Sequence, residues 1–287
     1  MSDALITVEN LRVAFDTPRG RSEAVRGIDF TLGRERLGIV GESGSGKSQT
    51  GRAILKLTAP NGHVTADRMS FGETDLLAAD EKRMRQIRGR HISMIMQDPK
   101  YSLNPVMPVG RQIEEACRVH GGISRKVARA RALEMLEAVR IQDPRKVYDL
   151  YPHQVSGGMG QRIMIAMMLI ARPEVLIADE PTSALDVSVQ LQVLGLMDQL
   201  VRDMGMGLIL ISHDLRLVAS FCDRVLVMYG GQIVERLDAR DLFQAKHPYT
   251  QGLLNCMPKL GAGDETLATL VRDPEWLRER SAAHDRA

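Results

Sequence analysis

The run Gly41-Glu42-Ser43-Gly44-Ser45-Gly46-Lys47-Ser48 constrains this chain more tightly than any other segment of it. It fits the pattern G-x-x-x-x-G-K-[ST], and its surroundings are those the pattern requires. A compact apolar strand, Leu37-Gly38-Ile39-Val40, leads into the loop, and residues 47–57 leave it with helical spacing. Glycines at these positions let the backbone fold so tightly that successive N–H groups and a helix N-terminus converge on one point. Such a nest of amides suits the oxygens of a phosphate chain. Lys47 adds a point charge for the β- and γ-phosphates, and the Ser48 hydroxyl is sized to hold Mg²⁺. A solvated Gly/Ser turn would share the composition but not the order strand, loop, helix.

A second segment complements the first. Val175-Leu176-Ile177-Ala178-Asp179-Glu180 is an apolar strand ending in two carboxylates, where the strand tips of an open α/β sheet face a ligand. Asp179 is placed to hold the metal through its water shell, and Glu180 to polarise an attacking water as general base. An acidic strand end means little alone, because solvated turns often close that way; beside a phosphate loop it completes the constellation of a P-loop NTPase.

The rest of the chain fits that class. Residues 5–8, 11–15 and 24–32 mix β-branched and apolar side chains around the turn-prone Asp16-Thr17-Pro18-Arg19-Gly20, which predicts an antiparallel β region. Residues 175–178, 208–211 and 225–228 are continuous apolar runs, as expected of parallel strands covered on both faces. A polar stretch near 99–154 contains a helix over 124–139 with Val127, Leu133, Leu136 and Val139 along one stripe. The expected architecture is α/β: a P-loop NTPase (RecA-like) core with an antiparallel β subdomain and an inserted α-helical subdomain. The cassette spans 1–260 with the insertion at about 99–170, and 261–287 form a polar C-terminal extension. There Asp273-Pro274 before Glu275-Trp276-Leu277 predicts a short helix anchored by Trp276, the single tryptophan.

Bulk properties exclude several alternatives. A net charge of +2 gives no nucleic-acid-coating surface. Cys117, Cys222 and Cys256 are far apart, with no CxxC pair for zinc or redox chemistry, and read as free thiols. Residues 1–5 lack the basic region and apolar run of a secretory signal, and no later stretch is long enough to span a bilayer. A cytosolic or peripheral protein is expected.

One further run narrows the family. Val155-Ser156-Gly157-Gly158-Met159-Gly160-Gln161-Arg162 resembles the LSGGQ signature of ABC (ATP-binding cassette) proteins, with Ser156, Gly157 and Gly158 matching. The resemblance implies that this segment opens a helix and binds the γ-phosphate of an ATP held by a partner subunit. It also implies roles for residues that would be unremarkable alone: Gln97 as the Q-loop glutamine sensing Mg²⁺ or the lytic water, Ser183-Ala184-Leu185-Asp186 as the D-loop crossing a dimer interface, and His213 as the switch histidine on the γ-phosphate. Phe15 either stacks on adenine or packs within the β hairpin.

Two segments, Gln97-Asp98-Pro99-Lys100-Tyr101-Ser102-Leu103-Asn104-Pro105 and His247-Pro248-Tyr249-Thr250-Gln251-Gly252-Leu253-Leu254, are similar to those of oligopeptide, dipeptide and nickel importer ATPases. Val155 departs from the usual leucine and Gly160 from a frequent arginine, which bears on the strength of the signature face. The cysteine-rich extension of some relatives has no counterpart, so no iron–sulfur cluster is expected.

The resemblance then implies ATP and Mg²⁺ as cofactors and a second ABC ATPase subunit, or a second copy, as partner. It further implies two transmembrane permease subunits, an indirect link to an extracytoplasmic solute-binding protein, no nucleic acid, and a peripheral position on the cytoplasmic face of the inner membrane. The rival reading is a soluble ABC ATPase acting on nucleic acid or ribosomes. Its relatives carry long heptad coiled coils, or two cassettes with a basic linker, and this chain has neither.

Overall fold

The computed structural model describes residues 4–96, 102–182, 186–257, 273 and 276. Gln97, Ser183 to Leu185 and the helix expected around Glu275 lie outside the described residues. In chain order the first elements are β1 (Ile6–Thr17), β2 (Gly20–Leu32), β3 (Arg36–Val40), α1 (Lys47–Ile54), β4 (Gly62–Thr65), β5 (Arg68–Phe71), β6 (Thr74–Asp75), α2 (Glu81–Ile87) and β7 (Ile92–Ile95). Helices α3 (Val109–Gly121), α4 (Arg125–Ala138), α5 (Pro144–Tyr148) and α6 (Gly157–Leu169) precede β8 (Val175–Asp179) and α7 (Val187–Met204). The last are β9 (Gly207–Ser212), α8 (Leu215–Phe221), β10 (Arg224–Tyr229), β11 (Gln232–Asp238) and α9 (Pro248–Asn255). The chain divides into two compact units, residues 1–78 with 209–287, and residues 79–208.

In the first unit, β1 and β2 form a long antiparallel hairpin, and β4, β5 and β6 complete a sheet of order β2-β1-β5-β6 with β4 also on β1. The expected strands 5–8 and 11–15 are one strand. A register shift between Val8 and Leu11, with Asn10 at φ 50°, makes a bulge whose N–H donates to Asp29 Oδ1 at 2.7 Å. A bulge interrupts the alternation of side chains without ending the pairing, and in sequence it reads as a break. The second sheet here runs β11-β10-β3-β9, with β3 and β10 parallel. Beyond their first residues, Arg36 and Arg224, the inner strands β3 and β10 are mainly apolar, and a Cβ on Gly38 of β3 would lie 2.3 Å from Val218 Cγ1 of α8. Beside it Cys222 is buried, and burial pushes its thiol up to about 12, so it is inert packing.

In the second unit β7 and β8 pair in parallel and are wholly buried. The helix expected over 124–139 is α4, with Ser124 as N-cap accepting from Val127 N–H at 3.4 Å. Its packing face only partly matches the predicted stripe: Leu136 and Val139 are buried and Leu133 is half-buried, but Val127 is 44% exposed, and Ala128, Ala132 and Met135 complete the buried face. Small alanines let neighbouring helices approach closely, and a count of large apolar residues misses that part of the face.

Tyr148 organises this helical cluster. Its hydroxyl donates to Glu114 Oε2 at 2.5 Å, Arg125 Nε reaches Glu114 Oε1 at 3.2 Å, and the Arg129 guanidinium lies 4.6 Å over the ring. Desolvation, with the Glu114 hydrogen bond next, pushes the Tyr148 phenol up to about 12. The ring occupies the space beside Gly110, where a Cβ would come within 2.1 Å of Cδ2. Gly110→Ala is therefore expected to cost about 1–3 kcal/mol by overpacking, read as a lower urea midpoint.

Candidate functional site

The phosphate loop lies between β3 and α1, as its pattern requires. Gly41, Gly44 and Gly46 have φ of 149°, 83° and 101°, in the region that favours glycine. Two of them are also fixed by contact: a Cβ on Gly41 would lie 2.1 Å from the Met228 carbonyl oxygen, and one on Gly46 2.4 Å from that of Ala24. A Cβ on Gly44 would meet nothing within 4 Å, so that side of the loop is open. Ser45 N–H donates to the Glu42 carbonyl at 3.2 Å, while the amides of Gly44 and Gly46 have no partner among the described residues. Gly46 is buried, and a buried N–H without a protein acceptor at the start of a helix is the fit expected of an anion cradle.

Lys47 is only 5% exposed. Its ammonium donates to the carbonyls of Gly41 at 2.7 Å and Glu42 at 2.8 Å, folding the side chain back across the loop. Lys47 opens α1, and Ser48 follows as its second residue. In the same unit His213 stands exposed just after β9, on the turn that Asp214 closes by donating its N–H to Ser212 Oγ at 3.0 Å and by capping α8. Phe15 is half-buried on β1, and a Cβ on Gly62 of β4 would approach its Cε1 to 2.8 Å. The ring edge is thus already used in packing, and an adenine could stack only on its remaining exposed surface.

In the second unit Asp179 ends β8 and is 3% exposed. Glu180 follows at φ 46°, left-handed for a residue with a side chain. That conformation costs roughly 1–2 kcal/mol relative to an ordinary one. Strain retained at the tip of a strand, on a carboxylate, directs attention to chemistry. The sequence named Glu180 but gave no sign of its backbone.

Ser156 caps α6, its Oγ accepting from Met159 N–H at 3.3 Å, so Gly157 and Gly158 form the first turn. Ser156, Gly157, Gly158, Met159, Arg162, Asp186 and Val189 line one concavity of about 410 Å³. The structure therefore brings the signature run and Asp186 together. Asp186 caps α7 through Val189 N–H at 3.0 Å and accepts from Ser188 Oγ at 2.9 Å, and these bonds, the backbone one first, hold its carboxyl below the usual range. Val189 Cγ1 would lie 2.9 Å from a Cβ on Gly158, whereas Gly157 faces open space.

Sequence reasoning assigned no role to Gln161, which is buried in α6 and donates from Nε2 to the carbonyl of Pro181, just past Glu180. This bond ties the signature helix to the end of the β8 segment. Nothing short of the fold could have found it, since glutamine is ordinary in a helix. Gly160 differs again: a Cβ there would meet nothing within 4 Å. Gly160→Ala is expected to raise stability by about 0.5–1 kcal/mol through helix propensity, seen as a higher Tm.

Ser48 in the first unit is a hydroxyl and Asp179 in the second a carboxylate, and each by itself is a hard oxygen donor of the type that suits Mg²⁺.

Comparison with known proteins agrees with this chemistry. Residues 25–183 match the family described as ABC transporter. Over 278 residues the chain is 48% identical to the oligopeptide transport ATP-binding protein OppD of Escherichia coli (strain K12), covering 96% of this chain and 82% of that protein. It is 48% identical over 269 residues to the dipeptide transport ATP-binding protein DppD of Haemophilus influenzae, covering 93% of this chain and 82% of that one. Among solved structures, a dimeric bacterial ABC transporter cassette aligns with a TM-score of 0.73 at 25% identity, over 82% of this chain and 99% of that one. A dimeric ATP-binding cassette in a post-hydrolysis state, bound to ADP and Pi, aligns at 0.71 and 25% identity over the same shares.

Proposed function

The chain belongs to the ABC transporter family, and on that premise we propose that it is the nucleotide-binding subunit of an importer for peptides or similar small solutes. Its fold is the α/β P-loop NTPase type, and its activity is ATP hydrolysis coupled to transport. Peptides enter the proposal because the relatives are named for oligopeptide and dipeptide transport. Those same names favour transport over action on nucleic acid or ribosomes.

The observation that carries the reading is the presence in one chain of two amide cradles, the glycine loop before α1 and the capped first turn of α6 over its open concavity. Each offers backbone N–H groups and the positive end of a helix, equivalent to about half an elementary charge. We assign ATP to the first cradle of one cassette and its γ-phosphate to Ser156, Gly157 and Gly158 of a second, in a head-to-tail pair over two nucleotides. The dimeric cassettes among the structural relatives support this pairing. Asp186, on the rim of the signature concavity, then lies at the interface.

Within the closed site, residues 41–46 cradle the phosphates, and Lys47 turns from its loop carbonyls to the β- and γ-oxygens. Ser48 and Asp179 would hold Mg²⁺, which supplies charge neutralisation at those phosphates. Glu180 takes the proton of the attacking water, His213 contacts the γ-phosphate, and Gln97 senses the metal or the water. Phe15 offers its exposed surface to adenine. Residues 1–260 act as one cassette with the helical insertion at about 99–170, and 261–287 as its extension.

Among the described residues no helix is long and apolar enough to cross a membrane. The pore is assigned to two permease subunits docked near Gln97 and the insertion, fed by an extracytoplasmic binding protein, with this chain on the cytoplasmic face. Deleting the chain in its host is the test. Abolished ATP-driven peptide uptake, restored by the wild type and not by Glu180→Gln, is the expected result; unimpaired uptake in the deletion strain overturns the proposal.

A further inference from the structure

The phosphate loop is held from outside by a side chain that belongs to none of the nucleotide-binding motifs. Tyr249, fully buried at 0% exposure on α9, accepts a hydrogen bond from the Glu42 backbone N–H at 3.0 Å through its hydroxyl oxygen. Glu42 is also one of the two residues whose carbonyls hold the Lys47 ammonium. The other, Gly41, is backed by the carbonyl of Met228. Next in sequence is Tyr229, whose ring lies 4.5 Å from that of Tyr249. Both tyrosines touch Trp276, at 5.5 and 5.7 Å between centroids, although it lies 27 positions beyond Tyr249 in the chain. The start of α9 is itself fastened, since Glu235 Oε1 accepts from the N–H groups of Lys246 at 2.7 Å and His247 at 3.1 Å.

We propose that Tyr249 is a positioning residue of the phosphate loop and that it links nucleotide binding to the packing of Trp276 from the C-terminal extension. The inference rests on the loop being the ATP site. Its logic is that Lys47 must leave the Gly41 and Glu42 carbonyls to reach phosphate, and the peptide it leaves is the one Tyr249 fixes. A hydroxyl that pins this peptide lowers the cost of ordering the loop around ATP. Because the same ring packs against Trp276, whatever ATP does to Tyr249 the tryptophan feels, and by linkage the packing of Trp276 alters ATP affinity by the same factor. Trp276, expected from sequence only to anchor a local helix, is thereby a reporter of the site.

The test uses the full chain, Mg²⁺ and ATP. Tyr249→Phe keeps the ring and removes the acceptor, and should raise the calorimetric Kd for ATP about fivefold, the scale of one net hydrogen bond. In the assembled transporter the loss should fall on KM more than on kcat. Wild-type Trp276 emission should change on ATP addition with the calorimetric Kd, and Tyr249→Phe should diminish that change. An unaltered Kd in a folded Tyr249→Phe chain overturns the proposal, as does wild-type emission indifferent to saturating ATP. Should Tyr249→Phe fail to fold, Trp276→Phe decides: a weaker Kd for ATP supports the linkage and an unchanged one refutes it. Lys47→Ala separates the two levels, because ATP binding that survives it condemns the assignment of the loop itself.

Discussion

Glu180→Gln is expected to leave ATP affinity within about twofold of wild type while slowing hydrolysis in the assembled transporter by roughly 10²–10⁴-fold, the usual worth of a positioned general base. The amide matches the carboxylate in size and can still orient a water, but it cannot take its proton. The backbone sharpens the expectation. Glu180 is held at φ 46° between buried Asp179 and Pro181, whose carbonyl is bonded by Gln161. The side chain is therefore aimed by a constrained turn, and an isosteric exchange removes chemistry with little disturbance of geometry. Single-turnover phosphate release measures the effect, and size-exclusion chromatography with MgATP should reveal a trapped closed pair. Release at the wild-type rate would remove Glu180 from the role of base.

How much of this could be read from the sequence depends on the range of the interaction. The loop from Gly41 to Ser48, the apolar run into Asp179 and the capped start of α6 are local: each is a short pattern whose backbone preferences and hydrogen bonds close within a few residues. The α/β class followed from the same kind of pattern, with β3, β8, β9 and β10 where the apolar runs stood. The short strands β4, β5 and β6 were not anticipated, because their pairing with β1 and with each other comes from the sheet and not from their own mixed residues. The packing face of α4 was legible only in part, at Leu136 and Val139, because Ala128 and Ala132 supply the rest of the contact.

Long-range bonds were the least legible. Gln161 reaches the Pro181 carbonyl across 20 positions, and Tyr249 reaches Glu42 across 207. Neither residue type advertises such a task. In sequence the segment around Tyr249 shows only a similarity to importer ATPases, and the fold supplies a physical reason for a tyrosine there: a rigid ring that fills a buried space and carries one acceptor at its tip.

Lys47→Ala should abolish tight nucleotide binding, raising the Kd for ATP by at least about a hundredfold if a charge-assisted pair near the upper end of its range is lost. Charge and packing can be told apart here. The Lys47 side chain is buried, and its ammonium satisfies the carbonyls of Gly41 and Glu42. Alanine removes the buried stem as well as the ammonium, so part of any loss comes from a loosened loop. Lys47→Met keeps most of the apolar stem and deletes the ammonium, with both its charge and its bridge to the two carbonyls. If phosphate pairing dominates, both variants lose ATP equally by calorimetry; if loop packing dominates, Lys47→Met retains most of the affinity. Thermal melts give an independent reading. A ligand at a hundred times its Kd stabilises the native state by about 2.7 kcal/mol, so saturating MgATP should raise the Tm of the wild type and leave both variants unmoved. A Lys47→Ala chain that still gains the full ATP-dependent Tm shift would place the nucleotide somewhere other than the glycine loop.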